Sequence, residues 1–211
     1  MKPPIAMIAA TLLVLCAPPA AASDALPGAP AVLVATQSSV DGLEQTVVLA
    51  IPQPDGSHFG FVLNCPTQTP LGALFPDDEA SGRANANVFI GGPKLEKTLF
   101  ALVRRADGEP DGLRSITAEL SVAIDVEEVD GVITHRARDA RFFLGMIAWS
   151  EGQLEDEVRA GAWHVKPPDL RVVMSAHPEV LWPRLAPPPD THFARAGAAV
   201  ASSRARVARF E

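Results

Sequence analysis

The sequence predicts a single α+β domain, and three observations carry that expectation. Strand-like and helix-like stretches are mixed along the chain without internal repeats. Asp55-Gly56 stands between two apolar runs, and both residues tolerate the positive φ that a tight hairpin needs. A chain of 211 residues that is 47% hydrophobic can bury one good core.

Taken in order, "AVLVAT" (31–36) is a short apolar strand. "QTVVLAIP" (45–52) and "HFGFVLN" (58–64) are the arms of the hairpin. "TPLGALF" predicts a short helix with Thr69 as cap and Pro70 at the first helical position, where its missing N–H is not needed. "DDEASGRANAN" reads as a polar loop, and "VFIGGP" (88–93) as a buried strand ending in a tight turn. "TLFALVRR" (98–105) and "ELSVAI" are strands around the loop "ADGEPDG". "DVEEVDGVI" predicts a helix capped by Asp125 with Glu128 three residues on, and "RFFLGMIAW" (141–149) is the most hydrophobic strand. "LRVVMS" has the β-branched character of a further strand, and "HPEVLWPRL" that of a short helix limited by Pro183.

The corner after Trp149 has a denser local code. Ser150 and Gln153 have the S-x-x-Q spacing of a capping box, with Trp149 and Leu154 as its hydrophobic staple. Glu151, Glu155 and Asp156 suit the positive end of a helix dipole, and Gly161 suits a left-handed stop. The spacing predicts a helix over 151–160. Glu155 and Glu157 are two apart, so they do not share a face as a carboxylate pair.

The N-terminus predicts export. Met1-Lys2 is a basic start, residues 5–17 are an apolar run, and Ala20 and Ala22 are the small residues of a cleavage site. The run falls short of the roughly 20 residues that span a bilayer, so a signal peptide over 1–22, cut after Ala22, is favoured over a membrane anchor. The mature chain is expected to be soluble and periplasmic or secreted. Its domain is expected over 31–185, with a flexible Pro/Ala/Arg-containing tail over 186–211. Cleavage removes Lys2 and no acidic residue, so a net charge of −7 becomes one unit more negative. Nucleic acid is disfavoured as a partner, because such binding rests on Lys and Arg at phosphates. Of the 2 cysteines, Cys16 leaves with the signal and Cys65 remains, which excludes an internal disulfide and favours a buried small residue.

Three segments in register resemble the YqgE/AlgH family: "GFVLNCPT" (60–67), "VFIGGP" (88–93) and "FFLGMIAWSEGQLEDEVRAGAW" (142–163). The resemblance runs from about residue 31 to 185. It implies one α+β domain with a β-rich core of mixed or antiparallel strands and short helices packed around it. The family usually has Arg where Cys65 stands, in an Asn-x-Pro turn, and is mostly cytoplasmic. It has no established reaction, and it carries a transcriptional-regulator label.

No G-x-S-x-G elbow, H-E-x-x-H, C-x-x-C or P-loop is present, and the 5 histidines lack metal-ligand spacing. No catalytic set, metal or cofactor is therefore expected. Asn64, Gly91, Gly92, Trp149 and Gln153, at the turns of the family core, are the candidate ligand-lining residues. Gly91-Gly92 could offer backbone N–H groups to an anion or simply form a tight turn. The expected role is an exported, non-enzymatic domain for a small ligand or a protein. The alternatives are an enzyme centred on Cys65 or Asn64, and the regulator of the family label.

Overall fold

The computed structural model describes residues 28–36, 42–84, 86–105 and 112–186. The expected signal segment, the tail beyond Ala186 and the loop "ADGEPDG" up to residue 111 lie outside these residues. The elements are β1 (Ala31–Ala35), β2 (Val47–Pro52), β3 (His58–Val62), β4 (Pro66–Pro70), α1 (Leu71–Leu74), α2 (Glu79–Arg83), β5 (Asn87–Ile90), β6 (Lys94–Arg104), β7 (Arg114–Thr117), β8 (Leu120–Ala123), α3 (Val126–His135), β9 (Ala140–Trp149), α4 (Gln153–Arg159), β10 (Trp163–Lys166), α5 (Leu170–Val173) and α6 (Leu181–Leu185). They form an α+β fold around a ten-stranded sheet of order β10-β1-β2-β3-β9-β6-β8-β7. β4 pairs with β5, and β5 joins β9 in parallel; the other pairings described are antiparallel. No helix among the described residues is long and apolar enough to cross a membrane.

β9 organises the sheet. One edge is taken by β6, with Phe100 opposite Phe143. The other edge is shared: β5 pairs with Phe143 and Leu144, and β3 takes Ile147 to Trp149. Where the two neighbours meet, backbones approach closely. Gly91 N donates to Leu144 O at 2.7 Å, and Val62 N donates to Gly91 O at 2.9 Å. A Cβ on Gly91 would lie 2.2 Å from Gly145 O, so only glycine fits. Gly145 itself takes φ +72°, which bends β9 at this point.

The strands are apolar on both faces because both faces are covered. On one face Phe61 stacks on Phe143 at 5.1 Å and meets Phe100 at 5.5 Å, with Val173 of α5 and Leu181 of α6 closing the cluster. On the other face Leu154 of α4 covers the β1–β2 half, and Leu71, Val129 and Ile133 cover the β6–β8 half.

Local expectations differ from the structure in several places. Thr69 lies in β4 rather than capping α1, and Pro70 is itself the N-cap residue. Within the polar "DDEASGRANAN", Asp78 accepts from the N–H groups of Ala80 and Ser81 and so nucleates α2. "LRVVMS" forms α5, not a strand. Asp169 accepts from Arg171 N at 2.8 Å at its start, and the Arg141 guanidinium donates to Val173 O at 2.7 Å at its end. Burial of Val173 in the core then outweighs the β preference of the two valines. Pro183 sits inside the first turn of α6, where no N–H is needed, and does not end it. The helix from Asp125 forms as expected, with Glu128 accepting from the N–H groups of Ile124 and Asp125.

The sheet also curls. Arg114 at the start of β7 donates to Gln53 Oε1 and Pro52 O, both at 2.9 Å, although β7 and β2 are five places apart in the strand order. In a flat sheet that separation is roughly 24 Å. The guanidinium also lies 5.5 Å from the Phe59 ring centroid.

Two stability outcomes follow. Gly91→Ala should cost about 3 kcal/mol, because backbone rather than a flexible side chain blocks the new methyl. Gly131→Ala, exposed within α3 with nothing within 4 Å of the added Cβ, should gain about 0.5–1 kcal/mol. Urea denaturation of both variants checks this. Acid provides a second measurement. The Ser57 hydroxyl, donating at 2.6 Å, and then the Ser57 N–H hold Asp55 below its ordinary value of 3.8. Arg171 does the same for Asp169. A lowered carboxyl stabilises fully above its unfolded pKa, and that contribution is lost as pH falls through the folded value. Denaturation midpoints should therefore drop below about pH 4, and Asp55→Asn with Asp169→Asn should flatten the drop.

Candidate functional site

The strand-to-helix corner after β9 centres on Glu157, which the sequence offered only as half of a carboxylate pair with Glu155. The Glu157 carboxylate accepts from Trp149 Nε1 at 2.9 Å and from Trp163 Nε1 at 2.8 Å through one oxygen. Its other oxygen accepts from Gln153 Nε2 at 3.1 Å. The indoles meet edge to face, 6.4 Å apart, and both are buried. A buried indole needs an acceptor for its N–H, and one carboxylate serves two.

The expected capping box is half formed. Gln153 Oε1 accepts from Ser150 N at 3.1 Å, but the N-cap position is Gly152, with φ +76°, and the helix begins at Gln153. A φ of this sign is the left-handed conformation that glycine adopts most readily. Trp149 and Leu154 do share one apolar cluster, as the staple requires.

The five candidate residues fall in three places. Trp149 and Gln153 come together at Glu157. Gly91 and Gly92 lie against the backbone of Gly145 and Met146. Asn64 follows the C-terminal end of β3, whereas Trp149 is opposite His58 at its beginning. There Asn64 Oδ1 accepts from Val47 N at 2.8 Å and its Nδ2 donates to Gln45 O at 2.9 Å, which pins the start of β2. Cys65, beside it, is exposed rather than buried, because it sits in the turn leaving β3.

Trp149 also lines a cavity of about 380 Å³ at the mouth of the curled sheet. Its apolar lining includes Phe59, Phe100, Ile124 and Met146. Its polar groups are Gln53, Ser57, His58, Arg114 and Asp125. His58 is only 5% exposed, and neither ring nitrogen has a partner in the protein. An unpaired buried polar group costs roughly 1–3 kcal/mol, so His58 stands out from the satisfied groups around it. The Ser57 hydroxyl and N–H both donate to Asp55 Oδ1, at 2.6 and 3.0 Å, within the hairpin turn. His58 and Arg114 belong to no motif, and the partners of Arg114, Gln53 and Pro52, are far along the chain, so no local signal marks either residue.

A larger groove of about 580 Å³ lies on the other side, between α1, α3 and the start of β6. Phe75 and Val126 line it, and Val126 is 82% exposed. Elsewhere, Arg141 lies 4.6 Å from the Phe89 ring centroid, and burial draws its pKa down to about 10, which leaves it charged at neutral pH. Among the described residues, no group of three or more His, Cys, Asp or Glu could hold a metal ion.

Replacing Glu157 tests the corner. Glu157→Ala leaves two buried indole N–H groups without an acceptor, so stability should fall by roughly 2–3 kcal/mol, and tryptophan emission should shift to the red. Unchanged urea denaturation and emission would show that the indoles do not depend on this carboxylate.

A family model described as AlgH-like matches residues 32–187. A UPF0301 protein of Streptomyces coelicolor is 34% identical over 156 residues, covering 71% of this chain and 80% of the relative. A UPF0301 protein of Thermobifida fusca is 31% identical over 165 residues, covering 74% and 83%. The crystal structure of protein DIP2367 from Corynebacterium diphtheriae matches with a TM-score of 0.61 at 21% identity, covering 75% of this chain and 85% of that one. The solution structure of the AlgH protein from Pseudomonas aeruginosa matches with a TM-score of 0.58 at 22% identity, covering 71% and 82%. At these identities the two structures speak for the fold alone.

Proposed function

The chain belongs to the AlgH-like family, and from that premise we propose that it is an exported domain that binds a small ligand without transforming it. The observation that carries this reading is the cavity beside Trp149, which joins an apolar lining to a held guanidinium and an unpartnered buried histidine. Cavities of this kind, mostly apolar with a few convergent polar groups, are the common form of small-molecule sites. The polar groups are arranged for recognition. Cys65 stands at the opposite end of β3 from His58 and so apart from the cavity. Of the five candidate residues, Trp149 lines the cavity, Gln153 supports Trp149 through Glu157, and Gly91, Gly92 and Asn64 hold the strands in place. Export rests on the basic start, apolar run and small residues of the first 22 positions.

Cell fractionation with N-terminal sequencing tests the compartment. The expected product begins at Ser23 outside the cytoplasm, and a cytoplasmic chain beginning at Met1 sinks export. Tryptophan emission and thermal shift, read against a metabolite extract of that compartment, test binding. The bound molecule should be recovered chemically unchanged. A recovered product, lost in Cys65→Ala, points instead to a thiol enzyme.

A further inference from the structure

We infer that the cavity beside Trp149 takes a small zwitterion with an apolar side chain, a free α-amino acid or short peptide. This rests on the ligand-binding reading above and names the ligand class. The cavity brings one cation and one anion to the same apolar floor. Arg114 is the cation. Two of its N–H groups are fixed by Gln53 Oε1 and Pro52 O, and its Cζ lies over the Phe59 ring. That geometry orients the guanidinium fork, whose remaining donors suit a carboxylate. Asp125 is the anion, at the start of α3 on the cavity rim. It suits an ammonium group. Phe59, Phe100, Ile124 and Met146 give the apolar body its surface. His58 lines the same cavity, and both of its ring nitrogens are unpaired within the protein although the residue is only 5% exposed. A simple anion meets repulsion from Asp125, and a simple cation meets repulsion from Arg114. Only a ligand carrying both charges satisfies both groups. The volume of about 380 Å³ is near the lower end for small-molecule sites, which fits an amino acid or dipeptide better than a cofactor.

The test uses the mature chain with L-leucine, L-phenylalanine and the dipeptide Leu-Leu as probes, read by Trp emission and calorimetry. Each should bind, and N-acetyl-L-phenylalanine and L-phenylalaninamide should each bind about tenfold more weakly or worse, since each lacks one charge-assisted contact. Arg114→Gln should abolish the preference for phenylalanine over its amide. Asp125→Asn, which keeps a good N-cap, should abolish the preference over the acetylated form. His58→Gln should weaken all probes together. Unchanged urea midpoints separate these effects from misfolding, and the ligand series stands even where a variant fails to fold. Equal binding of phenylalanine and its two derivatives overturns the zwitterion. So does binding of an extract component with no response to any of the three probes, while small-ligand binding itself survives. Silence to extract and probes alike overturns both.

Discussion

β9 has three neighbours, one more than a strand in a flat sheet can take, and the structure depends on how Gly91 and Gly145 resolve this. β3 and β5 divide one edge of β9 between them, and the chain passes from one partner to the other at Gly145. The passage is possible because two backbones meet at a distance that a Cβ would forbid. With β9 bent there, the phenylalanines of β3, β5, β6 and β9 can stack into one cluster. The sheet on either side then curls enough for β7 to reach β2.

That curl is what creates a site. Arg114 spans the gap between β7 and β2, and the cavity opens beside it, between strand ends and the start of α3. On the neighbouring face, Glu157 draws Trp149 and Trp163 together and so fixes the wall formed by Trp149. Trp182 extends the same logic, since its indole N–H donates to Ala35 O at 2.8 Å and holds α6 against β1. Each tryptophan of the described core thus has its polar edge satisfied while its body is packed, which locks the region. His58, Ser121 and Glu155 carry the unpartnered buried side-chain atoms of the described residues, and of these three only His58 lines the cavity.

Much of the fold was legible because its signals are local. The hairpin at Asp55-Gly56, the capped helix after Asp125 and the apolar runs of β1, β2, β3, β5, β8 and β9 depend on residues within a few positions of one another. The readings that failed were those where a distant group intervened. "LRVVMS" became helical because Arg141, some distance back along the chain, holds its final carbonyls. At the corner, the N-cap position falls to Gly152 in a left-handed conformation rather than to Ser150. The candidate residues divided in the same way. Gly91 and Gly92 were visible as a turn, but their packing against Gly145 was not.

The sequence by itself determined the α+β class, the family, the period and placement of most strands, and the importance of the corner between Trp149 and Trp163. These are properties of short windows, where spacing and side-chain type suffice. Tertiary structure alone decided that Glu157 is an inward acceptor, that Cys65 is exposed, and that His58, Arg114 and Asp125 surround one cavity. Those facts arise from curling a ten-stranded sheet, which brings together residues about sixty positions apart, and no local pattern encodes such a meeting.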